Sequence, residues 1–221
     1  MSIVTRTVEG GHDGTVRFRP ITPNSLVESL ADLIAARDGH VRVGIDGPPP
    51  ALPGRLAAAL VDPLRVRGRA ALAVATAGFL RPASVRLERG RTNPDSFYES
   101  WFDLPALSRE VLGSMATGAV LPDLWDPVTD RATRSRPVSL PPGGVLLLHG
   151  PLLLGAGLAL DLAVHLLMTP AALARQIDPE QEWTLPAYER YAAEVAPETF
   201  ADVVVRVDDP DHPAVSGMMS R

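Results

Sequence analysis

The chain has 221 residues, of which 46% are hydrophobic and 21% charged, with a net charge of −5. That is the length of one domain with enough apolar content for a sizeable core, and it excludes both a disordered composition and a basic nucleic-acid binder. Aromatics at 5% argue against a base-stacking platform; cysteine is absent, excluding disulfides and thiolate chemistry, and all 21 cationic side chains are Arg, excluding any step that needs a lysine ammonium.

The opening MSIVTRTVEGGHDG has no apolar run of signal-peptide length and carries Glu9 and Asp13, so no export signal is expected and residues 1–14 read as a mobile tail. Val16–Arg19 reads as a short edge strand. Leu26, Leu30, Leu33 and Ile34 recur at helical spacing, with Asn24 or Ser25 as N-cap and Asp38–Gly39 as the stop. Val41–Ile45 is a compact strand, followed by a proline-rich turn from Gly47 and a helix from Gly54 to Leu64. Ala70–Ala75 is a second strand, residues 80–103 are polar and Arg-rich, and Leu104–Met115 is helical. The Pro- and Asp-rich excursion 117–143 is too long for a structureless loop, which marks it as functional or lid-like.

The most apolar stretch, Val145–Met168, is broken by His149, Gly150, Pro151, Gly155, Gly157, Asp161 and His165. It reads as two buried strands, 145–148 and 160–167, rather than a membrane helix. Helices near 170–175 and 185–194 precede a fifth strand, Val203–Val207. Near-continuous apolar strands alternating with helices predict an α/β fold with a mainly parallel, five-stranded sheet. The expected layout is a tail with an edge strand over 1–22, one α/β domain over 23–215 and a C-terminal tail over 216–221, in a soluble, cytoplasmic protein.

In such a sheet, ligands bind outside the carboxyl ends of the strands, here Asp46–Gly47, Thr76–Gly78, His149–Gly150 and Thr169–Pro170. A strand, a Gly-containing turn and a helix in succession is the setting of a phosphate-binding loop. Gly44-Ile45-Asp46-Gly47, Arg81-Pro82, Arg89-Gly90-Arg91-Thr92-Asn93-Pro94-Asp95-Ser96-Phe97-Tyr98, Phe102-Asp103, Trp125-Asp126-Pro127-Val128-Thr129-Asp130, Gly150-Pro151 and Tyr188-Glu189-Arg190-Tyr191 together resemble the uridine kinase branch of the P-loop kinases, in order and spacing across residues 40–215. The resemblance implies a P-loop NTPase-like three-layer fold with an ATP site and a nucleoside pocket. It places Arg81, Arg91, Tyr98, Asp126 and Asp130 on the acceptor side of that pocket.

The departures fall at the positions that carry the chemistry. A phosphate loop needs G-x-x-x-x-G-K-[ST], whereas the chain reads Gly47-Pro48-Pro49-Pro50-Ala51-Leu52-Pro53-Gly54. Leu52 stands for the second Gly, Pro53 for Lys and Gly54 for the magnesium-binding Ser/Thr. Four prolines also remove four amide donors from a loop that works by pointing amides at phosphate. Arg55 is the nearest cation, but Arg and Lys are not interchangeable at tight sites, and the plainer reading is an exposed residue in a helix's first turn. Ala77 and Gly78 stand where the family carries acidic residues, and His149 stands where it usually carries Glu.

His149 with Asp46 is the pair to suspect for a different chemistry on this fold. Asp178, Glu180 and Glu182 occupy the stretch of the family's lid arginines, with only Arg175 nearby. Asp208–Pro213 reads as a turn or cap, and His12, His40 and His165 have no partners at metal-ligand spacing. The expected function is a uridine kinase-like protein whose phosphoryl transfer is lost or much weakened and whose small-molecule, nucleoside-like pocket is kept. ATP and magnesium belong only to the alternative, an active nucleoside kinase with atypical residues; a protein-interaction module is the third option. The expected partner is a small molecule, with no nucleic acid and no membrane, and a homodimer or protein partner left open.

Overall fold

A computed structural model describes residues 18–217. The expected mobile tail, its His12 and the first two residues of the expected edge strand lie outside them. The elements run β1 (Arg19–Pro20), α1 (Pro23–Ala35), β2 (Val41–Asp46), α2 (Pro53–Val66), β3 (Ala71–Ala75), α3 (Ala83–Arg86), α4 (Pro94–Ser100) and α5 (Leu104–Ala106). Four short strands follow, β4 (Ala119–Val120), β5 (Trp125–Asp126), β6 (Arg131–Ala132) and β7 (Val138–Ser139). Then come β8 (Val145–Gly150), β9 (Leu162–Leu167), α6 (Pro170–Gln176), α7 (Leu185–Glu194), β10 (Val203–Arg206) and β11 (Ala214–Gly217).

The main sheet has seven strands in the order β1-β11-β10-β9-β2-β8-β3. The five predicted strands form its parallel part. The two extra strands correct the five-stranded expectation. β11 folds back antiparallel on β10, and β1 pairs antiparallel with β11. β1 is the edge strand and β11 lies between it and β10; both are short, and their pairing comes from the sheet rather than from a strong local pattern. β11 also carries the sheet past the expected boundary at 215.

Burial on both faces explains the unbroken apolar runs. Val145 and Leu147 of β8 join the main core with α1 and α2, while Leu146 and Leu148 join a second cluster with Phe79, Leu107 and Val111. Helix α1 buries Leu26, Leu30, Ala31 and Ile34. Its N-cap is Thr22, whose hydroxyl accepts from the Ser25 amide, with Pro23 in the first turn. This replaces the predicted Asn24 or Ser25 cap, because proline favours the first helical position. At the other end, Arg69 donates to the carbonyls of Ala35, Arg37, Gly39 and Gly143. That guanidinium collects helix-terminal acceptors and joins them to the loop before β8.

The polar stretch 80–103 is more regular than its sequence reads. Asn93 caps α4 by accepting from the Ser96 amide. Phe97 of α4 packs edge-on against Trp101, Phe102, Trp183 and Tyr188, with ring centroids 5.7–6.0 Å apart. This cluster fastens α4 to α7 and sets the position of Tyr188. Residues 104–117 are helical, but the middle turn, Leu107–Leu112, is a π-helix.

The excursion 117–143 is two nested antiparallel ribbons, β4 with β7 and β5 with β6. The Leu124 amide donates to Gly78 O at 2.8 Å, which seats the excursion on the end of β3.

Gly150 closes β8 with φ +151°, and a Cβ there would lie 1.9 Å from Thr76 Oγ1. Backbone strain and overpacking act together at this point. Gly150→Ala is expected to lower unfolding stability by about 2–4 kcal/mol in urea titration; a loss below about 0.5 kcal/mol would contradict the packing described here.

Candidate functional site

The central strand β2 ends on Asp46, which has no solvent exposure. In the parallel register with β9, Asp46 lies opposite His165. A buried carboxylate is costly unless its oxygens are bonded. Oδ1 accepts from the Leu153 amide at 2.8 Å. Oδ2 lies 2.7 Å from His165 Nδ1 and 3.2 Å from the Tyr191 hydroxyl. The Tyr191 oxygen in turn accepts from the Leu154 amide at 2.9 Å, and its proton is shared between Asp46 Oδ2 and the Leu154 carbonyl.

Three parts of the chain therefore converge on one carboxylate: the turn after β8, strand β9 and helix α7. Tyr188 and Tyr191 are three residues apart on α7 and share a face. Burial raises the pKa of both phenols, and the negative charge of Asp46 raises it further. Both remain neutral near pH 7.

This network floors a cavity of about 210 Å³ between the ends of β2 and β9 and helices α6 and α7. Its apolar wall includes Leu152, Leu167, Met168, Leu173 and Leu185. The chain leaves β2 for β3 on one side of the sheet and β9 for β10 on the other. The cavity thus sits at the topological switch point, where open α/β sheets bind ligands. Its lining contains Asp46, Glu189 and Glu198 but no Arg.

The loop 47–54 has a compact, closed geometry. Residues Pro49–Ala51 form a single 3₁₀ turn, and Leu52 adopts φ 57°, ψ 48°. The Gly47 amide donates to Gly150 O, Ala51 to Pro48 O and Leu52 to Pro49 O. Of the four residues here that carry an amide N–H, three already donate to the protein's own carbonyls; the fourth, Gly54, lies in the first turn of α2. A Cβ on Gly54 would lie 3.0 Å from His149 Cε1, so the imidazole lies against that turn. Arg55 is exposed and lines a separate groove with Asn24, Val27, Val207 and Pro213.

The predicted residues are distributed as follows. Asp46 and Gly47 line the cavity, and Asp46 is bonded to His165 rather than to His149. Tyr98 donates to Glu194 Oε2 at 3.1 Å, with the Arg190 guanidinium 4.4 Å from its ring centroid. Asp126 accepts from the Val128 amide and the Thr129 hydroxyl, the hydroxyl bond being the main cause of its lowered pKa. Asp130 accepts from Trp125 Nε1, Arg86 and the Ala83 amide, and the Trp125 bond leads in lowering its pKa. The Arg81 amide donates to Trp101 O, and Arg91 is exposed. Arg81, Arg91, Tyr98, Asp126 and Asp130 do not line the Asp46 cavity.

His165 and Tyr191 are the residues that the sequence did not single out for this role. His165 has its partner 119 positions away, across two strands. The legible signal was a pair of polar residues, Asp46 ending one mostly apolar strand and His165 inside another.

No protein-family model and no curated protein matches the chain. Solved structures do. One from Bacillus stearothermophilus, described as a possible uridine kinase, has a TM-score of 0.66 and 21% identity, covering 80% of this chain and 96% of that one. One from Silicibacter sp. TM1040, provisionally named a fructose transport system kinase, has a TM-score of 0.52 and 19% identity, covering 78% and 92%. The YGR205w protein has a TM-score of 0.53 and 10% identity, covering 80% and 90%. The likeness establishes the fold: the chain has the α/β architecture of uridine kinase-like P-loop kinases. Among the described residues no helix is long and apolar enough to cross a membrane.

Tyr191→Phe removes the partner of the Leu154 amide and one donor to Asp46, and is expected to cost about 1–3 kcal/mol in urea unfolding; an unchanged midpoint would contradict the network. Burial lowers the His149 pKa from its ordinary 6.5. The unfolded ring therefore protonates first as pH falls, so this residue's contribution is full above about pH 6.5 and is lost below it. His149→Asn is expected to flatten the fall in urea midpoint between about pH 7.5 and 5.5, and an unaltered slope would contradict the assigned burial.

Proposed function

We propose that the chain is a uridine kinase-like protein that binds a small molecule and has lost, or much weakened, ATP-dependent phosphoryl transfer. The observation that carries this reading is the loop 47–54, whose Gly47, Ala51 and Leu52 amides donate to carbonyls of the protein itself. Phosphoryl transfer asks a protein for positioning and for stabilisation of charge on the phosphoryl oxygens. Amides already bonded to carbonyls, prolines without an N–H and a cavity lined by carboxylates supply neither. Arg55, the one cation beside the loop in sequence, lines a different groove from the cavity.

The small-molecule part of the reading draws on the cavity at the switch point, whose apolar wall and few polar groups are typical of ligand sites. Arg81, Arg91, Tyr98, Asp126 and Asp130 remain the residues at which a nucleoside is proposed to be read. Among the described residues, the Arg81 and Arg91 guanidinium groups make no hydrogen bond or ion pair, and so remain open to a carbonyl or anion. The competing reading, an active nucleoside kinase, draws on the description of the Bacillus structure.

Calorimetric titration with Mg·ATP, and then with uridine and cytidine, separates these readings. No heat with Mg·ATP and saturable heat with a nucleoside is the expected result. Micromolar Mg·ATP binding would overturn the loss of phosphoryl transfer, and silence with both nucleosides would remove the nucleoside from the proposal.

A further inference from the structure

We propose that the Asp46 cavity is a site for a small organic ammonium ion, a mostly apolar molecule with a protonated amine head. This rests on the reading of that cleft as a small-molecule site, and not on the loss of ATP chemistry.

The polar floor faces the ligand with an acceptor. His165 is 5% exposed and lines the cavity. Its Nδ1 is held by Asp46 at 2.7 Å, and among the described residues its Nε2 has no hydrogen-bond partner. With the proton on Nδ1, directed at the carboxylate, Nε2 presents a lone pair. A carboxylate behind the ring makes that lone pair a better acceptor for a charged N–H, by the same logic that fixes ring tautomers elsewhere.

The field in the cleft has one sign. Glu189 and Glu198 line it and are exposed, and neither has an ion-pair partner among the described residues. Among the described residues no Arg lines the cleft, and Arg190, the nearest to Glu189 in sequence, is engaged by Asp95, Glu99 and Glu194. A cleft with carboxylates, low-dielectric walls and no guanidinium concentrates cations and repels anions. The Tyr188 and Tyr191 rings add aromatic surface to the lining, which favours an ammonium over an anion again. The leucine and methionine walls then select an apolar body rather than a hydrated inorganic cation.

Three probes of one shape test this: 2-phenylethylamine, 2-phenylethanol and 3-phenylpropionate, titrated by calorimetry with the imidazole signals followed by NMR. The amine is expected to bind about tenfold more tightly than the alcohol and to move the His165 signals, while the carboxylate is expected not to bind. His165→Phe is expected to weaken the amine about tenfold. Should that variant fail to fold, the exposed pair Glu189→Gln with Glu198→Gln is expected to weaken the amine about threefold or more and leave the alcohol unchanged. Carboxylate binding as tight as the amine's, an amine unaffected by these changes, or no binding of any probe would overturn the assignment. Micromolar Mg·ATP binding alongside a preserved amine preference would remove only the loss of phosphoryl transfer. Silent Mg·ATP with a binding carboxylate would remove only the ammonium assignment.

Discussion

A carboxylate with no access to water stands at the end of the central strand, and the cleft side of the fold is arranged around satisfying it. Asp46 takes an amide from the turn after β8, an imidazole from β9 and a phenol from α7. Leaving one of these unmade would leave a buried acceptor short of a donor, a penalty of about 1–3 kcal/mol. Each bond therefore fixes a segment that hydrophobic packing alone would leave free to slide. The Leu153 amide, the His165 ring and the Tyr191 hydroxyl of α7 all bond to this one side chain, while the Phe97 cluster fastens α7 from its other contacts. The cavity is the space left between those fixed elements.

The same strand end separates what the fold needs from what phosphate recognition needs. The overall α/β architecture is that of uridine kinase-like P-loop kinase structures. The contents of the turn at Gly47 differ. Prolines at 48, 49, 50 and 53 remove donors, and a 3₁₀ turn directs the Ala51 and Leu52 amides to carbonyls within it. At the end of β3, a Cβ on Gly78 would lie 2.8 Å from Asp123 Cβ of the excursion, so the room for a side chain there is occupied. Architecture rests on two well-packed sheet faces, which such changes do not disturb, whereas phosphate recognition rests on a few amides and one cation.

Much of this was legible in the sequence because parallel strands and amphipathic helices are written locally. Val145–Leu148 reads as a continuous apolar run, Val41–Ile45 is interrupted only by Arg42, both strands are buried on both faces, and the last long helix spans the predicted residues 185–194. The prolines of the loop could be interpreted without coordinates, since a missing N–H is a property of the residue. The short strands β1 and β11 were less legible because two to four residues of weak pattern acquire strand geometry only from a neighbour. The Asp46–His165 contact was hidden for a different reason. It joins residues 119 positions apart through strand register, which no local spacing encodes. The ordering of 80–103 was likewise invisible, since it depends on Phe97 meeting Trp183 and Tyr188 from distant helices.

The central claim is that Asp46 holds His165 in one tautomer and so gives the cleft its acceptor. Long-range proton–nitrogen NMR of the imidazole at about pH 8, where an ordinary histidine is neutral, measures this directly. The account predicts a proton on His165 Nδ1 and a bare Nε2, with both signals shifting when Asp46 is replaced by Asn. A proton on Nε2 in the parent protein would contradict it.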